Sequence, residues 1–179
     1  MSLLTAYDKF IQVALKYGFS LFGLPKTGQT VEYQAGDDGT YEKGYPKTGA
    51  RFVDNGDGTI TDKATGLMWA KDGNGAGCNN GATIAWGAAI TFAEGLTFAG
   101  YSDWRLPNVK ELMSIVDYSA VAPAINSTFT NTQSDYYWSS TTYADYTGSA
   151  WGVGFNDGYV SGGPKAFGPF YVRPVRGGQ

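Results

Sequence analysis

The side chains that most often run enzyme chemistry are nearly absent from this sequence. Its 179 residues include no histidine and one cysteine, Cys78. Without an imidazole there is no Ser-His-Asp or Cys-His constellation, no histidine general base, and none of the usual His-containing zinc or non-haem iron sites. One thiol cannot close an intramolecular disulfide or form a CxxC redox pair. Carboxylate, lysine and tyrosine chemistry remains. Asp54, Asp57 and Asp62 cluster around one turn and Asp103 precedes Trp104-Arg105. No spacing sets two of these carboxylates across a cleft, and turn and capping roles account for each. The acidic turn DNGDG fails the EF-hand order, because the positions five before its glycines are Arg51 and Val53. No GxxxxGK[ST] phosphate loop occurs among the glycines. The expectation is a protein that is not an enzyme and holds no metal or cofactor.

The window 142–170 carries a different chemistry. Apart from Trp151 and Lys165 it is built from Gly, Tyr, Ser, Thr, Asn, Asp, Ala, Phe, Val and Pro. That is the palette of a paratope, with rigid rings for contact area and small polar residues for adaptable hydrogen bonding. The whole chain leans the same way, with 13 Tyr, 5 Trp and 26 Gly. Charged residues are 16%, against a usual share of about a quarter. A net charge of −3 and a pI near 4.8 argue against nucleic acid or an anionic membrane as partner and favour a cationic or neutral ligand.

Length and a 42% hydrophobic content allow one cored domain. Residues 1–24 have no basic leader and no spanning apolar run. Leu4, Tyr7, Ile11, Ala14 and Leu15 have helical spacing, which predicts an amphipathic extension packed on the domain, on a neighbouring subunit or on a larger particle. Residues 24–49, with KTG at 26–28 and 47–49, read as loop and short strands. RFVDNGDGTITDKATGLMWA reads as a β-meander turning at Asn55-Gly56, Asp57-Gly58 and KATG. A helix is expected over 83–96, N-capped by Thr83, with Ala85, Ala88, Ala89, Phe92, Ala93 and Leu96 on one stripe. A second is expected within 104–117, with Asn108 and Glu111 at capping-box spacing and Arg105 half buried and paired. A polar linker follows, in which Asn126-Ser127-Thr128 reads as an ordinary surface loop. YYWSSTTYA and AWGVGFNDGYV are strands, the latter with Trp151, Val153 and Phe155 inward and a hairpin turn at Asp157-Gly158. Pro174 gives the last strand an edge or irregular place. The class is α+β, with two helices packed on a small, mainly antiparallel twisted sheet and long loops.

The succession DNGDGTITDKATGLMW, GLTFAGYSDWRLPNVKEL, YYWSSTTYA, AWGVGF and YVRPVRGGQ resembles the DUF1566 (Lcl C-terminal) family from about Pro25 to Gln179. The family is similar to C-type-lectin-fold domains, and its members include adhesins and the variable proteins of diversity-generating retroelements. The resemblance implies a ligand-binding domain over 25–179 whose recognition face is built late in the chain, for a protein or cell-surface receptor or a glycan. It also implies display on a virion tail or cell envelope. Such mutagenesis acts on adenines, often in codons ending in C or T, which never encode Glu, Gln, Lys, Met or Trp. Within 142–170 only Trp151 and Lys165 come from that set. The diversified, outward positions are then Tyr143, Asp145, Tyr146, Gly152, Gly154, Asn156, Tyr159, Ser161, Gly163, Ala166, Gly168 and Phe170. Trp138, Trp151, Val153 and Phe155 are scaffold, and Trp104 to Pro107 form a structural corner. The formylglycine-generating branch of the fold uses paired cysteines, which Cys78 alone cannot supply. Sulfated-glycan binding would want a basic face that this acidic chain lacks.

Overall fold

A computed structural model describes residues 23–46 and 49–177. The expected N-terminal helix, Lys47-Thr48 of the second KTG and the terminal Gly178-Gln179 lie outside the described residues. From Arg51 the local signals act as their chemistry suggests. Strands β1 (Phe52–Asp54), β2 (Thr59–Asp62) and β3 (Met68–Ala70) form an antiparallel meander with Phe52 opposite Asp62 and Ile60 opposite Trp69. In its first turn Gly56 and Gly58 take φ of 80° and 88°, a region that favours glycine. The Asp54 and Asp57 carboxylates accept the N–H groups of Gly56 and Thr59, each at 3.0 Å.

A second antiparallel sheet contains β4 (Tyr136–Thr142), β5 (Ser149–Gly154) and β6 (Val160–Pro164) in that order. Strand β7 (Val175–Arg176) joins the first sheet beside β3, giving β1-β2-β3-β7. The fold is therefore a small α+β arrangement with two antiparallel sheets, where the sequence suggests one. The terminal segment connects them: Tyr171 bridges β4 at Tyr137, and four residues on Val175 pairs with β3.

The helices are shorter than their apolar stripes imply. Helix α1 (Asp38–Tyr41) is one turn in the stretch expected to be loop and short strands, capped by the Asp37 carboxylate on the Thr40 N–H. Helix α2 (Trp86–Glu94) starts after Ala85, which makes no side-chain cap, and Thr83 does not cap it. The chain is extended there because Ile84 bridges Phe170. Only Ala89 and Ala93 of the small-residue stripe are fully buried. Helix α3 (Val109–Ser114) keeps the full capping box: Glu111 N–H reaches Asn108 Oδ1 at 2.9 Å, and Asn108 N–H reaches Glu111 Oε2 at 2.8 Å. Arg105 binds Glu111 through two 2.7 Å hydrogen bonds and donates a third, of 3.0 Å, to the Gly177 carbonyl. The same carboxylate thus caps α3 and pairs Arg105.

Ile60, Leu67, Trp69, Leu112, Ile115, Tyr137, Val153 and Phe155 belong to the main core, which both sheets and α3 supply. The segment 118–135, expected as a polar linker, contributes Ala124, Ile125 and Phe129 to it. A second cluster of Ala89, Ala93, Leu106, Trp138, Ala150 and Val172 packs α2 on the opposite face of β4–β5. The β4–β5–β6 sheet is therefore gripped on both faces.

Arg173 is fully buried, with no acidic group in direct contact among the described residues. Its Nη1 donates to the Ala70 and Lys71 carbonyls at 2.6 and 2.9 Å, and Nη2 donates to Thr132 Oγ1 at 2.7 Å. The guanidinium lies over the Phe129 and Tyr137 rings, 5.2 and 5.8 Å from their centroids. Carbonyl dipoles and ring faces stabilise the buried charge while tying β3, the 130–132 loop and the terminal segment together. Arg173→Ala would strip the buried Ala70 carbonyl and the part-buried Thr132 hydroxyl of this donor, leave Lys71 C=O only its bond from the Thr130 N–H, and empty the space the side chain fills. It is expected to cost about 3 kcal/mol or more in urea unfolding. A change below about 1 kcal/mol would contradict this role.

Candidate functional site

The three-stranded sheet positions the window 142–170. The β4–β5 turn is closed by hydrogen bonds from Tyr143 N–H to Ser149 C=O (3.0 Å) and from Ser149 N–H to Tyr146 C=O (2.9 Å). The β5–β6 turn is closed from Gly154 N–H to Tyr159 C=O (2.8 Å), with Gly158 at φ 85°. Strand β5 between them spans roughly 17–20 Å at the usual rise per residue. The twelve expected positions therefore do not share one surface. They divide between two ends of the sheet, with several packed in between.

Tyr143, Asp145, Tyr146 and Ala166 gather at the β4–β5 end. Lys165 N–H donates to Gly148 C=O (2.9 Å) and joins the 143–148 turn to the 164–168 turn. Tyr146 is 66% exposed there and Phe167 88%. Tyr143 is half-buried, its ring 4.4 Å from Trp151 and lying over Gly162. Trp151 shares the inward face of Val153 and Phe155 but is itself only half-buried, because it sits near the sheet's open end. Lys165 fixes the base of this end: its Nζ donates to Thr142 Oγ1 (2.9 Å) and lies 4.1 Å over the Trp86 ring.

Asn156 and Tyr159 lie at the other end, where Tyr159 is 62% exposed. Burial first, then the nearby Tyr159, Asp157 and Asp135, pushes the Tyr136 hydroxyl above its ordinary pKa. Ser161 is half-buried on β6.

The outward placement fails at four positions. Gly152, Gly154, Gly163 and Gly168 are buried, and Phe170 is half-buried. The physical reason at Gly152, Gly163 and Gly168 is that residues 165–170 fold back across the sheet face that strict alternation would leave open, and at Gly154 it is the neighbouring Asn156 and Tyr136 side chains. A Cβ on Gly154 would meet the Asn156 side chain at 2.6 Å, and one on Gly168 would meet the Pro164 carbonyl at 2.9 Å and the Trp138 ring at 3.0 Å. Phe167 is the most exposed ring of the window, and period-two counting misses it. Alternation stops at Pro164, whose carbonyl accepts the N–H groups of Phe167 and Gly168 at 3.4 and 2.9 Å to start a turn. The available signal was the proline itself.

The carboxylates considered for catalysis all have structural partners. Asp62 is buried and takes a bidentate pair from Arg51 at 2.8 and 2.7 Å. Asp54 pairs with Lys71 and Asp103 with Arg176, and the latter pairing holds the Asp103 carboxyl below its ordinary pKa. Asp57 binds the Thr59 N–H and hydroxyl. Asn126 of the sequon accepts from the Thr128 N–H and hydroxyl within its own turn. Burial pushes the Cys78 thiol pKa up, so it stays protonated. Among the described residues no three His, Cys, Asp or Glu converge as a metal site, and no helix is long and apolar enough to cross a membrane. A cavity of about 320 Å³ is lined by Lys26, Tyr45, Arg51, Phe52 and Asp117 among others, none of them within 142–170.

The architecture defines a small α+β domain with a ring-bearing loop end on a doubly packed sheet. Residues 58–176 match the family model of the Lcl C-terminal domain, and the chain belongs to that family. No curated protein matches the chain.

Gly168→Ala is expected to destabilise by about 1–3 kcal/mol, because the added methyl meets backbone that cannot rotate away. Asp145→Ala and Ala166→Ser are expected to stay within about 0.5 kcal/mol of the parent in thermal melts. Equal effects at all three positions would contradict this division.

Proposed function

We propose that the protein is a non-enzymatic recognition module on a C-type-lectin-like scaffold. It binds a protein or cell-surface receptor through side chains of 142–170 that a retroelement diversifies, and it is carried on a virion tail or cell envelope. One observation carries the reading: the two residues of that window that lie outside such codon chemistry are packed anchors, and the exposed turn residues beside them lie within it. Trp151 and Lys165, the two residues that codons ending in C or T cannot encode, are the anchors. Trp151 packs on Tyr143, and Lys165 on Trp86 and Thr142. Asp145, Tyr146 and Ala166, which such codons can encode, are exposed beside them, as is Phe167. Exposed Tyr and Phe rings give contact area with few rotamers to freeze, and a sheet gripped on both faces supports loops whose side chains change without unfolding the domain. A surface ring such as Phe167, 88% exposed, contributes little to the isolated fold.

Deep sequencing of the gene and its flanking DNA across a population tests the diversification. The expected result is substitutions clustered in adenine-bearing codons of 143–170, sparing Trp151 and Lys165, with an adenine-rich template repeat nearby. Absence of both the repeat and the clustering would reject it and leave a binding domain of fixed specificity.

A further inference from the structure

The ring of Phe170 occupies a slot that its own backbone does not need. It stacks 4.1 Å from Trp138 at 32° and 5.1 Å from Tyr136 at 25°. The floor exists because two residues lack a Cβ: one on Gly152 would lie 3.0 and 3.1 Å from ring atoms of Phe170, and one on Gly163 would lie 2.6 Å from both Cε2 and Cζ. The Phe170 main chain is held independently. Its carbonyl accepts the Ile84 N–H at 3.1 Å, and the adjoining Tyr171 exchanges hydrogen bonds with β4, from Tyr171 N–H to Tyr136 C=O at 3.0 Å and from Trp138 N–H to Tyr171 C=O at 2.9 Å. A smaller side chain at 170 would therefore empty the slot without releasing the strand.

We propose that this slot is a subsite for one flat aromatic ring, filled in this chain by the protein's own Phe170. A chain with a small residue at 170 takes an aromatic side chain from its binding partner in the same place, and a side chain at 163 closes the slot. Two ring walls, each within about a third of a right angle of the Phe170 plane, and a glycine floor select a flat ring over a branched aliphatic group. Residue 163 then decides whether the subsite exists, and residue 170 decides whether it is free. For its biological meaning the inference rests on the recognition reading above, but the slot's capacity is a property of the fold and is tested without a receptor.

The probe is indole, titrated into the purified protein while the Trp138 indole N–H is followed by NMR. That group is a local reporter because it is fixed on the Ile84 carbonyl at 2.9 Å. Phe170→Ala is expected to bind indole saturably with a Kd of about 1 mM or tighter, moving the Trp138 signal. The parent and the Phe170→Ala/Gly163→Val double variant are expected not to. Saturable binding absent from folded Phe170→Ala, or equally strong in the parent or the double variant, overturns the proposal. If Phe170→Ala does not fold, Gly163→Ala in the parent gives the second readout. Its methyl must displace the Phe170 ring and shift the Trp138 indole N–H, and an unmoved signal overturns the proposal. Sequencing that finds no diversification leaves these outcomes unaffected, so the two readings fail separately.

Discussion

A fully buried guanidinium that pairs directly with no carboxylate among the described residues is a costly thing to fold around, and the architecture depends on how Arg173 is held. Its Nη1 and Nη2 donate to two carbonyls at the end of β3 and to the Thr132 hydroxyl, its buried Nε has no hydrogen-bond partner among the described residues, and it lies beside the Phe129 and Tyr137 rings. Fixed dipoles do here what a counter-ion does elsewhere. A guanidinium suits the task because its planar fork can bind three separated acceptors at once, where a lysine would offer a point charge. The consequence is geometric. The terminal segment is locked between the sheets, so β4 receives a neighbour at Tyr171 and β3 receives one at Val175.

With that segment fixed, the β4–β5–β6 sheet has a core on either side. Tyr137, Val153 and Phe155 face the main core, and Trp138 and Ala150 face α2. A sheet held on both faces has little freedom to adjust to side chains placed on it, which leaves its ends as the places where exposed side chains gather. There the turns supply exposed rings while their backbone hydrogen bonds and Lys165 keep them in register. Asp54, Asp57, Asp62 and Asp103 serve this same rigidity, as turn acceptors and pair partners.

Signals that act over a few residues were legible in the sequence. Asn108 and Glu111 announce their capping box, Gly56 and Gly58 their turn, and the AWGVGF alternation a strand. Arg105 between Trp104 and Leu106 announces a paired, half-buried cation. Signals set by distant chain were not. Arg173 carries no local mark of burial, since its acceptors lie at residues 70, 71 and 132. Ile125 and Phe129 are isolated apolar residues in a polar stretch, without a period to reveal them. Gly152 and Gly163 occupy alternate positions that ought to face solvent, and only the return of residues 165–170 across the sheet makes them floor instead of display. Thr83 fails as a cap because pairing of Ile84 with Phe170 keeps the chain extended past it.

Within one short window the packed residues and the exposed turn residues are separate positions. The most direct measurement is a saturation mutagenesis scan of residues 136–176 on a displayed library, read by protease resistance so that folding is scored without a ligand. Asp145, Tyr146, Asn156, Tyr159, Ala166 and Phe167 are expected to accept most side chains, while Trp138, Val153, Phe155, Gly168 and Arg173 accept few. Uniform tolerance across the window, or intolerance concentrated at the exposed turns, would contradict it.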